Sequence, residues 1–294
     1  MMQEENFRGQ EKRTRGAFLL STPMIVWTLA FVGATILYII VLSFLKRDPD
    51  GFGVIWEFTL ENYAKLMDAN YARVFWNTIV LGVNTTVLCV LIGYPFGYLM
   101  GKASEKWRTI LMLLVIVPFW TNALIRVYGW RILLVGNGPI NGALMALGLI
   151  ERPLKLLNTH GAVMLGMVYG LLPFMILPVY SSAEKLDRAL VDAGRDLGAK
   201  PWKVFWTVEL PLTLPGLKAG CVLVFVPSLA LFFISDLLGG PSDVLVGNLV
   251  YDQLLKARDW PFAAAISVVL LAVTAIVMGV YRRAGGKSSD MTMF

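Results

Sequence analysis

Residues 262–281 read FAAAISVVLLAVTAIVMGVY, a run of 20 residues without one charge. Coiled into a helix at about 1.5 Å per residue, such a run reaches about 30 Å, the thickness of the hydrocarbon core of a bilayer. Five comparable runs precede it, at about 17–45, 76–100, 109–134, 161–181 and 214–237. Six membrane-spanning helices follow, which predicts an all-α polytopic fold with a single transmembrane domain over residues 17–283 between tails at 1–16 and 284–294.

The composition agrees. Of 294 residues, 57% are hydrophobic and 16% charged, and the mean hydropathy is +0.66, against about 45–50% apolar and about 25% charged in soluble domains. The net charge of +6 does not point to nucleic acid, because the basic residues sit between the apolar runs. With the N-terminus in the cytoplasm, the tails and the segments around 102–108 and 183–211 hold 15 of the 26 Lys and Arg residues, against 8 in the opposite loops. That bias predicts cytoplasmic termini in a plasma or inner membrane, with the lipid bilayer as solvent. The first run is too long for a signal-peptide core and lacks a small-residue cleavage site. Cys89 and Cys221 lie alone in apolar stretches and His160 is the only histidine, so no disulfide framework or metal motif is expected. Pro95, Pro118, Pro173, Pro178 and Pro227 punctuate the spans, as suits helices that line a pathway. Gly136-Asn137-Gly138-Pro139 reads as a turn.

The most informative loop is 183–211. Leu186, Leu190, Ala193 and Leu197 recur at helical spacing with charges on the other faces, which predicts an amphipathic helix ended by Gly198. Pro201 then opens a second short helix carrying Trp202, Phe205 and Trp206, and the chain re-enters the membrane at Leu210-Pro211. Periodicity alone favours a helix lying on lipid headgroups.

The residues themselves say more. Asp192-Ala193-Gly194, three residues, Gly198, nine residues and Val208-Glu209-Leu210-Pro211 resemble the EAA loop of permease subunits of type I ATP-binding-cassette importers. That pattern reads Glu-Ala-Ala, three residues, Gly, nine residues, Ile-x-Leu-Pro; this chain has Asp for Glu, Gly for the second Ala and Val for Ile. Further runs, among them Val117-Pro118-Phe119-Trp120-Thr121-Asn122, Leu124-Ile125-Arg126, Leu171-Leu172-Pro173-Phe174, Tyr180-Ser181-Ser182, Ser235-Asp236-Leu237 and Arg258-Asp259-Trp260-Pro261-Phe262, are similar to the spermidine/putrescine subfamily. The resemblance implies that Asp192, Ala193, Gly194, Gly198, Leu210 and Pro211 form a coupling surface for an ATPase. It also implies a second related permease, two ATPase subunits that bind ATP and Mg, and an extracytoplasmic polyamine-binding protein. No cofactor is expected in this chain. Gly286-Lys287-Ser288 resembles the end of a Walker A motif, but position 281 is Tyr and the segment follows a span rather than a strand.

A polyamine path needs carboxylates and aromatic faces. Asp236, behind Phe232 and Phe233, is expected near the outer end of the fifth span, with pairing to Arg126 as the competing explanation. Trp120 and Asn122 are expected as cavity wall near the middle of the third span. For Tyr128, Tyr169 and Tyr180 the competing explanation is packing. Import of an anion, ferric iron or an opine on the same fold would instead make Arg126 and Arg131 ligands. A membrane enzyme would need a cluster of His, Cys or paired carboxylates that the sequence does not offer.

Overall fold

The computed structural model describes residues 22–48, 53–241 and 243–283; the two expected tails and the start of the first run lie outside them. Helix α1 (Thr22–Ser43) is followed by a short antiparallel hairpin, β1 (Leu45–Arg47) and β2 (Val54–Phe58). The hairpin is an addition to the all-helical expectation, and the β-branched and aromatic residues Val54, Ile55, Trp56 and Phe58 suit it. It is stitched at both ends. Asn62 of α2 (Glu61–Leu66) donates from Nδ2 to the carbonyls of Ser43 and Leu45 at 3.0 and 2.9 Å, and Arg47 Nη2 donates to the Ala257 carbonyl at 2.8 Å.

Helix α3 (Ala69–Lys102) crosses in one piece through Pro95. The third run departs from expectation. It forms α4 (Glu105–Trp120) and then α5 (Ala123–Leu134) with α6 (Pro139–Ala146), bent by 94° at Thr121 and Asn122. The last turn of α4, Val117–Trp120, is 3-10, and Thr121 and Asn122 are extended. Their side chains hold the corner: Thr121 Oγ1 donates to the Pro118 carbonyl at 2.7 Å, and Asn122 Oδ1 accepts the Leu124 N–H at 2.8 Å as the N-cap of α5. The Gly136–Pro139 turn is present as expected.

Helix α7 (His160–Glu184) continues through Pro173 and Pro178. After α8 (Arg188–Asp196), helix α9 runs from Pro201 to Ser228. The second short helix expected from Pro201 is not separate, because it runs on through Leu210-Pro211 into the span. Pro211 has no N–H to give the carbonyl four residues back, and a wider turn over Phe205–Glu209 accommodates this, with the Leu210 N–H reaching the Phe205 carbonyl. The run 214–237 is two helices, because α9 ends just past Pro227 and α10 (Phe232–Leu238) is separate. The chain closes with α11 (Val246–Tyr251) and α12 (Trp260–Arg283), whose first turn Asp259 caps through the Phe262 N–H at 3.1 Å. Among the described residues, five helices are long and apolar enough to cross a membrane, six if the bent pair counts as one span.

The core lies where α3, α7 and α9 meet, around Leu81, Cys89, Met167, Leu171, Met175, Val179 and Val224. A seam of small residues brings α3 onto α7. A Cβ on Gly93, Gly97 or Gly101 would stand 2.8 Å from Met175, 2.7 Å from the Ile176 carbonyl and 2.7 Å from Ala183. Spaced four apart, these glycines form the one-sided stripe that lets membrane helices pack backbone to backbone. Gly97→Leu is therefore expected to lower the thermal midpoint of the detergent-solubilised protein sharply, at an overpacking cost of about 1–3 kcal/mol or more. Gly129→Ala, where an added Cβ meets nothing within 4 Å, should leave it unchanged.

Candidate substrate pathway and coupling loop

The loop between α7 and α9 is built by its own capping residues. Asp187 accepts the Ala189 N–H at 2.9 Å to start α8, and Gly198, at φ +76°, ends it. The Gly198 N–H reaches the Arg195 carbonyl at 2.8 Å and the Ala199 N–H reaches that of Gly194 at 3.3 Å, a turn that favours glycine. The expected helical stripe is shorter than its spacing predicts: Leu190 and Ala193 lie in α8 and are exposed, Leu186 precedes the helix, and Leu197 follows it and is 88% exposed. Val191 is buried instead, and Gly194 backs onto Val204 and Val208 of α9. Gly194 thus serves packing within the loop, while Leu190, Ala193 and Leu197 are left exposed among the described residues. Trp202, Phe205 and Trp206 cluster as expected, with ring centroids 5.5 to 6.2 Å apart.

The pathway candidates fall into two groups and one outlier. Trp120 stands at the α4–α5 corner, 80% exposed, rather than midway along a straight span. Beside it, Phe119, Arg126, Tyr169, Phe174, Phe233 and Ile234 line a cavity of about 260 Å³ between the corner, α7 and α10. The Arg126 guanidinium lies 4.3 Å over the Phe119 ring and 5.8 Å from that of Tyr169.

The second group is on α10. Ile234 and Leu238 are buried against Gly166 of α7, which turns Asp236 outward into an exposed position. Phe232 stacks on Tyr251 with centroids 5.3 Å apart. The expected alternative, Asp236 paired with Arg126, is not found among the described residues; Lys256 is a cation whose charge Asp236 favours. Lys256 sits outside the spans, 2.7 Å from Asp252, and that hydrogen bond first, with Asp236 adding to it, raises its pKa above the ordinary lysine value. Behind α10, Ser235 Oγ donates to the Asp243 carbonyl, and Asp243 accepts the Gly240 N–H at 2.9 Å while its other oxygen lies 3.2 Å from His160 Nδ1. The lone histidine is part of this brace. Tyr180 is the outlier: it is buried with Met100 and Ile176, next to Phe96 and Met112, where it packs rather than lines a cavity.

Residues 93–285 match the family described as the binding-protein-dependent transport system inner membrane component. The chain belongs to that family. It is therefore a multi-pass inner-membrane transport component rather than an enzyme, and the matched region holds the α4–α5 corner, the loop with α8 and all of α10. The chain is 45% identical, over 88% of its own length and 90% of the relative's, to the spermidine/putrescine transport system permease protein PotB of Haemophilus influenzae. It is 46% identical, over 88% of its length and 94% of the relative's, to PotB of Escherichia coli. Among solved structures it superimposes on a bacterial ABC transporter involved in the import of the acidic polysaccharide alginate, with a TM-score of 0.70 at 18% identity, over 95% of this chain and 99% of that one. That likeness shows the type I importer permease fold.

Sequence reading passed over three side chains that the fold brings into these sites. Lys256 and Tyr251 lie beyond α10 in sequence but beside it in space. Glu209 occupies the unspecified place in the Leu-Pro end of the loop pattern, and its only sequence signal is a carboxylate at the start of an apolar run.

Proposed function

We propose that this chain is a permease subunit of an ATP-driven importer of polyamines, spermidine and putrescine among them. Identity of 45–46% across almost the whole chain to two spermidine/putrescine permeases carries this reading. The site chemistry supports it: Asp236 offers an exposed carboxylate on a braced helix, with the aromatic faces of Phe232 and Trp120 for ammonium groups. Asn122 caps α5 with its amide oxygen, and among the described residues its amide nitrogen stays open to a ligand.

Import needs a second, related permease across the pathway, two ATPase subunits holding ATP and Mg, and an extracytoplasmic polyamine-binding protein. The termini and the loop with α8 face the cytoplasm, where Asp192, Ala193, Gly198 and the exposed leucines meet the ATPase, with Gly194, Leu210 and Pro211 shaping the loop behind them. One observation favours an anion instead: Arg126 Nε and Nη1 are buried without a hydrogen-bond partner among the described residues. Cells lacking other polyamine uptake and given the complete transporter decide between the two. Accumulation of labelled spermidine, undiminished by excess molybdate or an acidic oligosaccharide, is the expected result. Anion uptake without spermidine uptake would move Arg126 to the centre of the site.

A further inference from the structure

At the point where the loop joins α9, two stripes of side chains meet around a buried carboxylate. Tyr94, Tyr98 and Lys102 lie four residues apart on one side of α3, and Phe205, Glu209 and Thr213 lie four apart on the facing side of α9. Lys102 Nζ donates to Glu209 Oε1 at 2.5 Å, Tyr98 donates its hydroxyl hydrogen to Oε2, and the Lys102 ammonium stands 4.3 Å over the Tyr98 ring. The Tyr94 and Thr213 hydroxyls are 2.9 Å apart, and Phe205 meets Tyr98 edge-on with centroids 5.7 Å apart. Glu209 is 4% exposed, so its charge is held by these partners rather than by water. A buried carboxylate with one good cation is tolerated, but losing that cation strands the charge. Lys102 and Arg195 of α8 also line one cavity of about 500 Å³, which places the coupling helix beside the same network.

We infer that Glu209 is a positioning residue for energy coupling, clamping the root of the loop to α3 so that a push on α8 moves α3 and α9 as one body. This rests on the reading of the loop as the ATPase contact. The wider turn over Phe205–Glu209 interrupts the regular hydrogen-bond register of α9 where force would enter the span, which is where a side-chain clamp to α3 acts. Without the clamp, the loop can follow the ATPase while the spans lag.

The test measures spermidine imported per ATP hydrolysed, together with thermal stability, in the complete reconstituted transporter. Glu209→Gln keeps the shape and removes the charge; the ratio should fall at least fivefold while ATP hydrolysis and assembly persist. Lys102→Met should lower the ratio likewise but, by stranding the Glu209 charge, should also lower thermal stability, and the double variant should recover that stability with no further fall in the ratio, because all three break one link. Tyr98→Phe, which retains the ion pair and the ring, should give a smaller fall and decides the matter if Glu209→Gln does not assemble. An unchanged ratio in Tyr98→Phe and in whichever charge variants assemble would overturn the inference, as would a loss of import in Glu209→Gln and Tyr98→Phe matched by an equal loss of assembled complex. A wild-type complex that imports no spermidine would instead contradict the proposed function.

Discussion

Asp236→Asn is expected to lower spermidine uptake by tenfold or more while leaving assembly and thermal stability close to wild type. Two unit charges about 4 Å apart interact by roughly 4 kcal/mol at an effective dielectric near 20, and desolvation takes back a share. A remainder of about 1.4 kcal/mol already corresponds to a factor of ten. The small stability effect follows from the structure. Asp236 is exposed and its helix is held from behind by Ile234, Leu238 and the Ser235–Asp243 contact, none of which the substitution touches. Uptake of labelled spermidine and unfolding of the purified complex have to be measured on the same preparation. A large loss of stability would assign Asp236 to structure, and normal uptake would remove it from the pathway. Trp120→Ala should act in parallel, by loss of an aromatic face worth about 0.5–2 kcal/mol per ammonium.

Gly198→Trp should abolish import, more than tenfold, and Gly198→Ala should separate the two reasons why. Both substitutions strain the backbone, since φ is +76° and an L-residue there costs roughly 1–2 kcal/mol. A Cβ at this position meets nothing within 4 Å, so the chain itself has room for a side chain. The further loss in Trp over Ala therefore reports bulk directed at a partner. Equal import by the two variants, measured beside ATP hydrolysis by the assembled complex, would show that this end of α8 is not a docking surface.

The spans were legible because a charge-free run of about 20 residues has few other structural solutions. The corner at Thr121 and Asn122 was not. Two residues barely change the polarity of a run that stays apolar on both sides, and the available signals were local ones, Pro118 ending a helix and an Asn placed to cap the next. That miss also displaced Trp120 from a wall to a corner. Of the stripe at Leu186, Leu190, Ala193 and Leu197, only Leu190 and Ala193 fall within α8, because Asp187 caps a helix that starts at Arg188; periodicity also identifies an apolar face without saying what covers it, and the chain buries Val191 instead. Tyr180 shows the same limit, since an aromatic in an apolar run packs or lines a cavity according to neighbours far away in sequence. Glu209 was hidden for a related reason: its partners Tyr98 and Lys102 come from a helix more than 100 residues earlier.

Labelled spermidine uptake into proteoliposomes holding this chain, its partner permease and the ATPase, with the polyamine-binding protein outside, tests the central claim most directly. Uptake should require ATP on the ATPase side and the binding protein on the other, and unlabelled putrescine should compete. Uptake that proceeds without ATP, or a complex that hydrolyses ATP in response to its binding protein yet carries only an anion, would contradict it.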